Sequence, residues 1–389
     1  MILSAGDIVA DKYRIDHFIG EGGMGTVYAA TNQLNGRTVA LKWLRTELMT
    51  SEMFAERFMR EARVCGRLDH PNIVNVFDVG RHDGSIFLVM ELLRGEPFDR
   101  WLLRASPPPV DCVRRLMPAL RAVAAAHALG IVHRDLKPEH VFLCKDADGT
   151  IRQTKVLDFG IAKELGHAEA STSLTNPGSL IGTVHYMAPE QVRNSAHADV
   201  RSDVYSLGVI LYVALSGKLP YEAESVGDLI VKIVEGKAPP LSRRNPNLSR
   251  KLVDVVMRAM AKDQKARYQS VAELGRALEP HSGGVPFEEP RGAPSAPPNA
   301  LPARPRGATP DDDHGVVDAG RAASLRASIG VRDGPDDPRP RHGHVLPGAR
   351  RVLAPHVEEP AGRLDSRSVR VAVARRSARR AESDHASGR

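Results

Sequence analysis

Four glycines, Gly20, Gly22, Gly23 and Gly25, interrupt a run of alternating apolar residues in Ile19-Gly20-Glu21-Gly22-Gly23-Met24-Gly25-Thr26-Val27-Tyr28, and this pattern constrains the fold more than any other feature of the chain. Backbone without side chains can turn tightly and approach a polyphosphate closely, offering it N–H groups. The segment therefore reads either as a phosphate-cradling loop or as a plain hairpin turn. A dinucleotide-binding unit would need a helix directly after the third glycine. Instead, Val27-Tyr28-Ala29-Ala30 runs on to Asn35-Gly36, the pattern of another strand and a turn. The expectation is an antiparallel sheet whose first two strands are joined by a glycine loop.

The next strand, Val39-Ala40-Leu41-Lys42, carries a lysine in apolar company. A strand lysine commonly faces solvent, so its meaning depends on a partner. Phe54, Phe58, Cys65 and Leu68 recur at helical spacing, and Glu61 falls on the same apolar stripe. A carboxylate in that position is costly unless paired. Lys42 is the candidate partner, and a lysine held by Glu61 can direct its ammonium at the α- and β-phosphates of a nucleotide.

Apolar periodicity continues through Leu252, Val256, Met260, Leu274 and Leu278 and breaks at Pro280. Of 28 prolines, 14 lie beyond it, together with a single aromatic, Phe287, and no lysine. Too little apolar surface remains there to offset the entropy of ordering, so 281–389 reads as a disordered Pro/Ala/Gly/Arg-rich tail. The tail also holds +4 of the formal net charge of +7, which leaves the folded part only mildly basic. The cluster Arg375-Arg376-Ser377-Ala378-Arg379-Arg380 reads as solvated chain, and no nucleic-acid partner is expected. Cys65, Cys112 and Cys144 are too few and too scattered for a disulfide framework or a zinc site. With no signal-like N-terminus and no membrane segment in the pattern, a cytoplasmic location is expected.

Three further motifs follow in order. Ile131-Val132-His133-Arg134-Asp135-Leu136-Lys137-Pro138-Glu139-His140 comes after an alanine-rich helical stretch; Lys155-Val156-Leu157-Asp158-Phe159-Gly160 follows a short hairpin; Tyr186-Met187-Ala188-Pro189-Glu190 comes last. With the glycine loop and Lys42, this ordered set resembles the signature of the protein kinases, most closely the eukaryotic-like serine/threonine kinases of bacteria. The resemblance covers residues 7 to 280. It implies an α+β, two-lobed kinase fold over 1–280, with a small antiparallel sheet lobe over about 1–92 and a larger helical lobe over about 93–280, and ATP between them.

By the same resemblance, Asp158 chelates the magnesium that bridges the β- and γ-phosphates, Asp135 orients the substrate hydroxyl and accepts its proton, and Lys137 meets the γ-phosphate. A lysine two residues after the catalytic aspartate, with Gly182-Thr183 ahead of Tyr186, implies serine/threonine rather than tyrosine acceptors. Ile19, Gly20, Glu21, Gly22, Gly23, Met24, Gly25, Val27, Ala40, Lys42 and Glu61 line the implied ATP site. Met90, Glu91 and Leu92 are its gatekeeper and hinge, whose backbone would bind the adenine edge. Asp203 resembles the buried aspartate that anchors the catalytic loop, and Arg267 the arginine that pairs with Glu190.

Arg134 beside Asp135 implies activation by a phosphorylated segment, with Thr175 and then Thr172 as autophosphorylation sites and a transient homodimer for reaction in trans. His140 stands where the family has the asparagine that ligates a second magnesium and braces the loop. Imidazole is a poor ligand for magnesium. Two readings follow: His140 hydrogen-bonds the loop while Asp158 carries the metal alone, or manganese works better than magnesium. The substitution also leaves open, beside an active kinase acting on protein substrates, a nucleotide-binding pseudokinase scaffold.

Overall fold

The computed structural model describes residues 3–22, 25–45, 52–66, 68–159 and 182–288, and within 52–66 it leaves the side chains of 52–54, 57, 61, 63 and 64 undescribed. Strands β1 (Ile8–Val9), β2 (Tyr13–Gly22), β3 (Gly25–Asn32), β4 (Thr38–Leu44), β5 (Val76–His82) and β6 (Ser85–Glu91) form an antiparallel sheet in the order β1-β2-β3-β4-β6-β5. The helix α1 (Glu52–Cys65) is inserted between β4 and β5.

Alternation along β4 assigns its two faces. Val39, Leu41 and Trp43 pack with Tyr13, Ile15, Tyr28 and Phe87 on one side of the sheet. Ala40 and Leu44 pack on the other with Ala55, Phe58 and Ala62 of α1. Strand period two puts Lys42 on that second face, toward α1. The helical stripe expected from the sequence is shorter in the structure: α1 ends at Cys65, and Leu68 lies beyond it, buried, with its N–H on the Cys65 carbonyl at 3.0 Å.

The second part is helical around a small sheet. A three-stranded antiparallel sheet, β7 (Gly95–Pro97), β8 (Val141–Lys145) and β9 (Ile151–Val156), is ordered β7-β8-β9. Asp146 to Thr150 form the β8–β9 turn, with the Thr150 N–H donating to Asp146 Oδ1 at 3.0 Å. The helices are α2 (Phe98–Ala105), α3 (Pro109–Ala128), α4 (Pro189–Arg193), α5 (Val200–Ser216), α6 (Val226–Val234), α7 (Leu241–Arg244), α8 (Arg250–Ala259) and α9 (Val271–Leu278). Their starts follow local capping chemistry: the side chains of Asp199, Ser225, Ser249 and Ser270 accept backbone N–H groups at the heads of α5, α6, α8 and α9. α5 runs through the centre, with Val204, Leu207, Ile210 and Leu211 fully buried against α3, α8 and α9. This is the two-lobed kinase fold expected from the sequence.

Backbone joins the lobes next to the hinge strand. The Val74 N–H donates to the Val156 carbonyl at 3.0 Å, and the Val156 N–H donates to the Asn72 carbonyl at 2.8 Å. Packing also runs past the compositional break at Pro280. Ser282 is fully buried, and Phe287, 7% exposed, lies over Gly275, where a Cβ would meet its ring at 2.2 Å. Among the described residues no helix is long and apolar enough to cross a membrane.

Candidate active site

β2 and β3 form the roof of the cleft. Gly22 pairs with Gly25 across the hairpin, while Gly23 and Met24 at its tip lie outside the described residues. Gly25 is a steric requirement, because a Cβ there would sit 2.0 Å from the Trp43 carbonyl oxygen. The Glu21 side chain turns to Arg45, Oε1 to Nη2 2.6 Å, so only the backbone of Glu21 belongs to the loop surface. Ile19 is 47% exposed, Val27 is half-buried and Gly20 has open space where a Cβ would be.

The inner wall is set by register. Val27, Lys42 and Leu88 are aligned across β3, β4 and β6, and Ala40 stands beside Met90. Met90 is buried between Ala40, Leu88 and Phe58. The Glu91 N–H donates to the Asn75 carbonyl at 3.0 Å, and its carboxylate accepts from the Asn75 N–H at 3.1 Å and pairs with Lys155. Its side chain is thus committed to the lobe junction, leaving backbone as its contribution to an adenine site. Leu92 is half-buried at the end of this wall.

The floor is the 133–140 loop, held from beneath by Asp203. This carboxylate, fully buried on α5, accepts from the N–H of His133 at 2.8 Å and of Arg134 at 2.9 Å, and meets His127 Nε2 at 2.7 Å. The clamp holds Arg134 at φ +63°, a left-handed conformation that a residue other than glycine rarely takes without such support. Asp158 is likewise left-handed, at φ +50°. Between them, the buried His133 ring donates from Nε2 to the Leu157 carbonyl, 2.9 Å away, and packs against Phe159 at a tilt of 43° with centroids 4.6 Å apart.

These constraints bring the sequence-selected side chains together. Lys42 Nζ lies 2.8 Å from Asp158 Oδ2. His140 Nδ1 is 2.8 Å from the Asp135 carbonyl oxygen and 3.7 Å from its Oδ2, while His140 Nε2 is 3.9 Å from Asp158 Oδ2. Lys137 Nζ donates to Thr183 Oγ1 at 3.4 Å. Burial alone would raise the Asp158 carboxyl; the Lys42 ammonium beside it outweighs that and holds it well below the usual carboxylate range. Burial lowers the His140 imidazole to about 4 even though two carboxylates face it, so the ring is neutral at pH 7. The Glu61 side chain, and Thr172 and Thr175, lie outside the described residues.

A divalent cation is implied here by the fold. The donor set fits one: an ionised carboxylate on Asp158 and a neutral ring nitrogen on His140 converge from different segments. Among the described residues no group of three or more His, Cys, Asp or Glu side chains could hold an ion by itself. Phosphate and water must complete the shell, which is how magnesium is commonly held.

Sequence reading also missed members of the constellation. Lys155 lies on β9, Ile-Arg-Gln-Thr-Lys-Val, whose polar composition gave no sign that its amine is buried. His127 carried none, since its partner lies 76 residues away, and Thr183, singled out only as a mark of serine/threonine specificity, meets Lys137 across 46 residues. Glu190 and Arg267 pair as expected, Nη1–Oε1 2.7 Å and Nη2–Oε2 2.8 Å, and Arg267 is fully buried.

Comparison with known proteins agrees with this geometry. Residues 13–276 match the family model described as the protein kinase domain. The probable serine/threonine-protein kinase PknB of Lactococcus lactis is 38% identical over 275 residues, covering 70% of this chain and 42% of that protein. The serine/threonine-protein kinase PrkC of Bacillus subtilis is 36% identical over 270 residues, covering 69% and 40%. For pkn3 of Myxococcus xanthus the identity is 38% over 278 residues, covering 70% and 50%. The chain thus spans between two-fifths and half the length of these relatives. Among solved structures, the PknI kinase domain of Mycobacterium tuberculosis superposes with a TM-score of 0.56 at 28% identity, covering 72% of this chain and all of that one. The chain belongs to the protein kinase family, carrying a catalytic domain of the bacterial serine/threonine type.

Proposed function

We propose that this protein is a serine/threonine protein kinase that transfers the γ-phosphate of ATP to hydroxyl groups of protein substrates. The observation that carries the reading is the Lys42–Asp158 pair at 2.8 Å, next to a loop that brings Asp135, Lys137 and His140 to the same cleft. The catalytic domain, expected over 1–280, carries its packing on through Phe287, so the tail expected over 281–389 starts beyond that residue. Lys42, paired on one side, extends its charge to the α- and β-phosphates, as the backbone of Gly20 to Gly22 and of Gly25 covers them. Asp135 accepts the proton of a serine or threonine hydroxyl, whose oxygen bonds to the γ-phosphorus as the bond to the β–γ bridging oxygen breaks and ADP leaves. Lys137 neutralises charge on the moving phosphoryl group. When bound, a divalent cation would supply charge neutralisation at the phosphates, and Asp158 with His140 beside it would hold it.

Thr175 and Thr172 are proposed as autophosphorylation sites that give Arg134 its negative partner, with transient pairing of two copies. An ATP-dependent reaction suits a cytoplasmic location. The scaffold alternative draws no support from the relatives, all of them named as kinases.

The test is incorporation of γ-labelled phosphate by the full-length chain, followed by mapping of the modified residues. Asp135→Asn should lower incorporation by at least about a hundredfold, the effect of losing a few kcal/mol of transition-state stabilisation. Equal incorporation by the variant would refute the assignment.

A further inference from the structure

His140 is the member of the constellation that differs in chemistry from its family counterpart. Its Nδ1 faces the Asp135 main-chain carbonyl at 2.8 Å, a group that can only accept. Nδ1 therefore carries the hydrogen, which leaves the Nε2 lone pair as the ring's site for a metal ion. An asparagine can make the same bond to the carbonyl with its amide and offer a hard oxygen instead.

The direction of that lone pair is set by packing rather than left to rotation. The ring lies 5.9 Å from His133, tilted 32° to it, and His133 is itself stacked on Phe159. Nε2 faces Asp158 Oδ2 at 3.9 Å. With metal–ligand bonds of about 2.1 Å, two donors to one ion stand between about 3.0 Å apart at a right angle and about 4.2 Å apart when opposite. The observed 3.9 Å lies nearer the opposite arrangement, and a side-chain shift of about 0.3 Å would seat both donors on one octahedral ion. Only 12% of the His140 side chain is exposed, so water competes poorly for this position.

We propose that His140 Nε2 is a direct ligand of the nucleotide-bound divalent cation, and that this chain consequently favours transition-metal dications over magnesium. The inference rests on the reading of the chain as an ATP-dependent kinase. Magnesium takes hard oxygen donors and releases water reluctantly, whereas imidazole suits first-row transition ions, with affinity rising from manganese to cobalt. Exchange of one oxygen ligand for nitrogen thus tilts the site in one direction for every ion of the series.

The test uses the full-length chain, with its histidines labelled with nitrogen-15, and Mn2+ with ATP as the probe. Electron spin-echo spectra of the complex should show modulation at the nitrogen-15 frequency, absent from His140→Asn. By calorimetry, the ratio of ATP affinity in Co2+ or Mn2+ to that in Mg2+ should fall at least about tenfold in His140→Asn, since even outer-shell partners are worth 10–100-fold in metal affinity. Thermal melting of the variant checks that it folds. Tight Mn2+–ATP binding and phosphate transfer without histidine modulation, or an unchanged affinity ratio, would overturn the ligand assignment and leave the kinase reading intact. Failure of the folded wild-type chain to bind ATP with any of these ions would overturn both.

Discussion

Lys155 on β9 and Glu91 at the end of β6 form an ion pair, Nζ to Oε1 2.5 Å, that ties the hinge of one sheet to the strand leading into Asp158 on the other. Lys155 Nζ also donates to the Ile73 carbonyl at 3.1 Å, and Glu91 accepts from Asn75. Both side chains are largely buried, 8% and 19% exposed. Removing one partner strands a charge, whereas removing both does not. Lys155→Met and Glu91→Gln are each expected to lower unfolding free energy by about 3 kcal/mol, and the double variant to lose clearly less than the sum. Urea unfolding of the four proteins measures the coupling, and additive losses would show that the two side chains act independently.

Asp203 holds two consecutive backbone N–H groups of the 133–140 loop and one imidazole. Hydrogen bonds to a charged group are worth about 1.5–3 kcal/mol each. Asp203→Asn keeps the shape but places an amide hydrogen against one of these donors. The expected result is a stability loss of about 3 kcal/mol together with a fall in phosphate transfer of at least about a hundredfold, as Arg134 leaves its left-handed conformation. Hydrogen exchange at the amides of His133 and Arg134 reads the local effect directly, and protection equal to wild type would contradict it.

Glu96 supplies a pH dependence that can be assigned to one side chain. The Arg104 guanidinium, more than burial opposes and with Lys145 adding to it, lowers its carboxyl to about 2. The folded value lies below the unfolded one, so the contribution is fully present above the unfolded value of about 4.3 and is lost as pH falls toward 2. Because Arg104 is 60% exposed, solvent screening reduces the effect, and Glu96→Gln is expected to cost about 1–2 kcal/mol at pH 7. The difference between wild type and variant should shrink steadily below pH 4.5 in denaturant titrations; a constant difference would assign it to packing instead.

Phe287 extends the packed chain beyond the break in composition. Its ring covers Gly275, the Pro286 carbonyl accepts from Arg121 Nη1 at 2.9 Å, and the Ser282 carbonyl from Arg114 Nε at 3.4 Å. Phe287→Ala should lower stability by about 3 kcal/mol. A chain ended at 280 should melt several degrees below one ended at 288, and identical melting curves would remove these contacts from the account.

Much of the site was legible because phosphoryl transfer needs particular groups at short covalent spacings. Asp135, Lys137 and His140 share one loop, and Gly20 to Gly25 share one hairpin, so their order along the chain carries the chemistry. Strand alternation likewise put Lys42 on the face shared with Ala40 and Leu44. The end of α1 was misjudged because apolar spacing continues through Leu68 after the helix has stopped; a buried residue in a following turn obeys the same burial rule as one on the helix.

By itself, then, the sequence determined the glycine-looped strands, the lysine strand and the break at Pro280 from local pattern, and the two-lobed architecture and the chemistry of the cleft through the resemblance of its ordered motifs to the protein kinases. Only the tertiary structure decided that Lys155 meets Glu91, that Asp203 gathers His127 with the loop amides, that His140 turns Nε2 toward Asp158, and that Phe287 closes over Gly275. Each of these joins separate segments of the chain, and a charge or ring that will be buried needs a partner without the sequence saying which one the packing will supply.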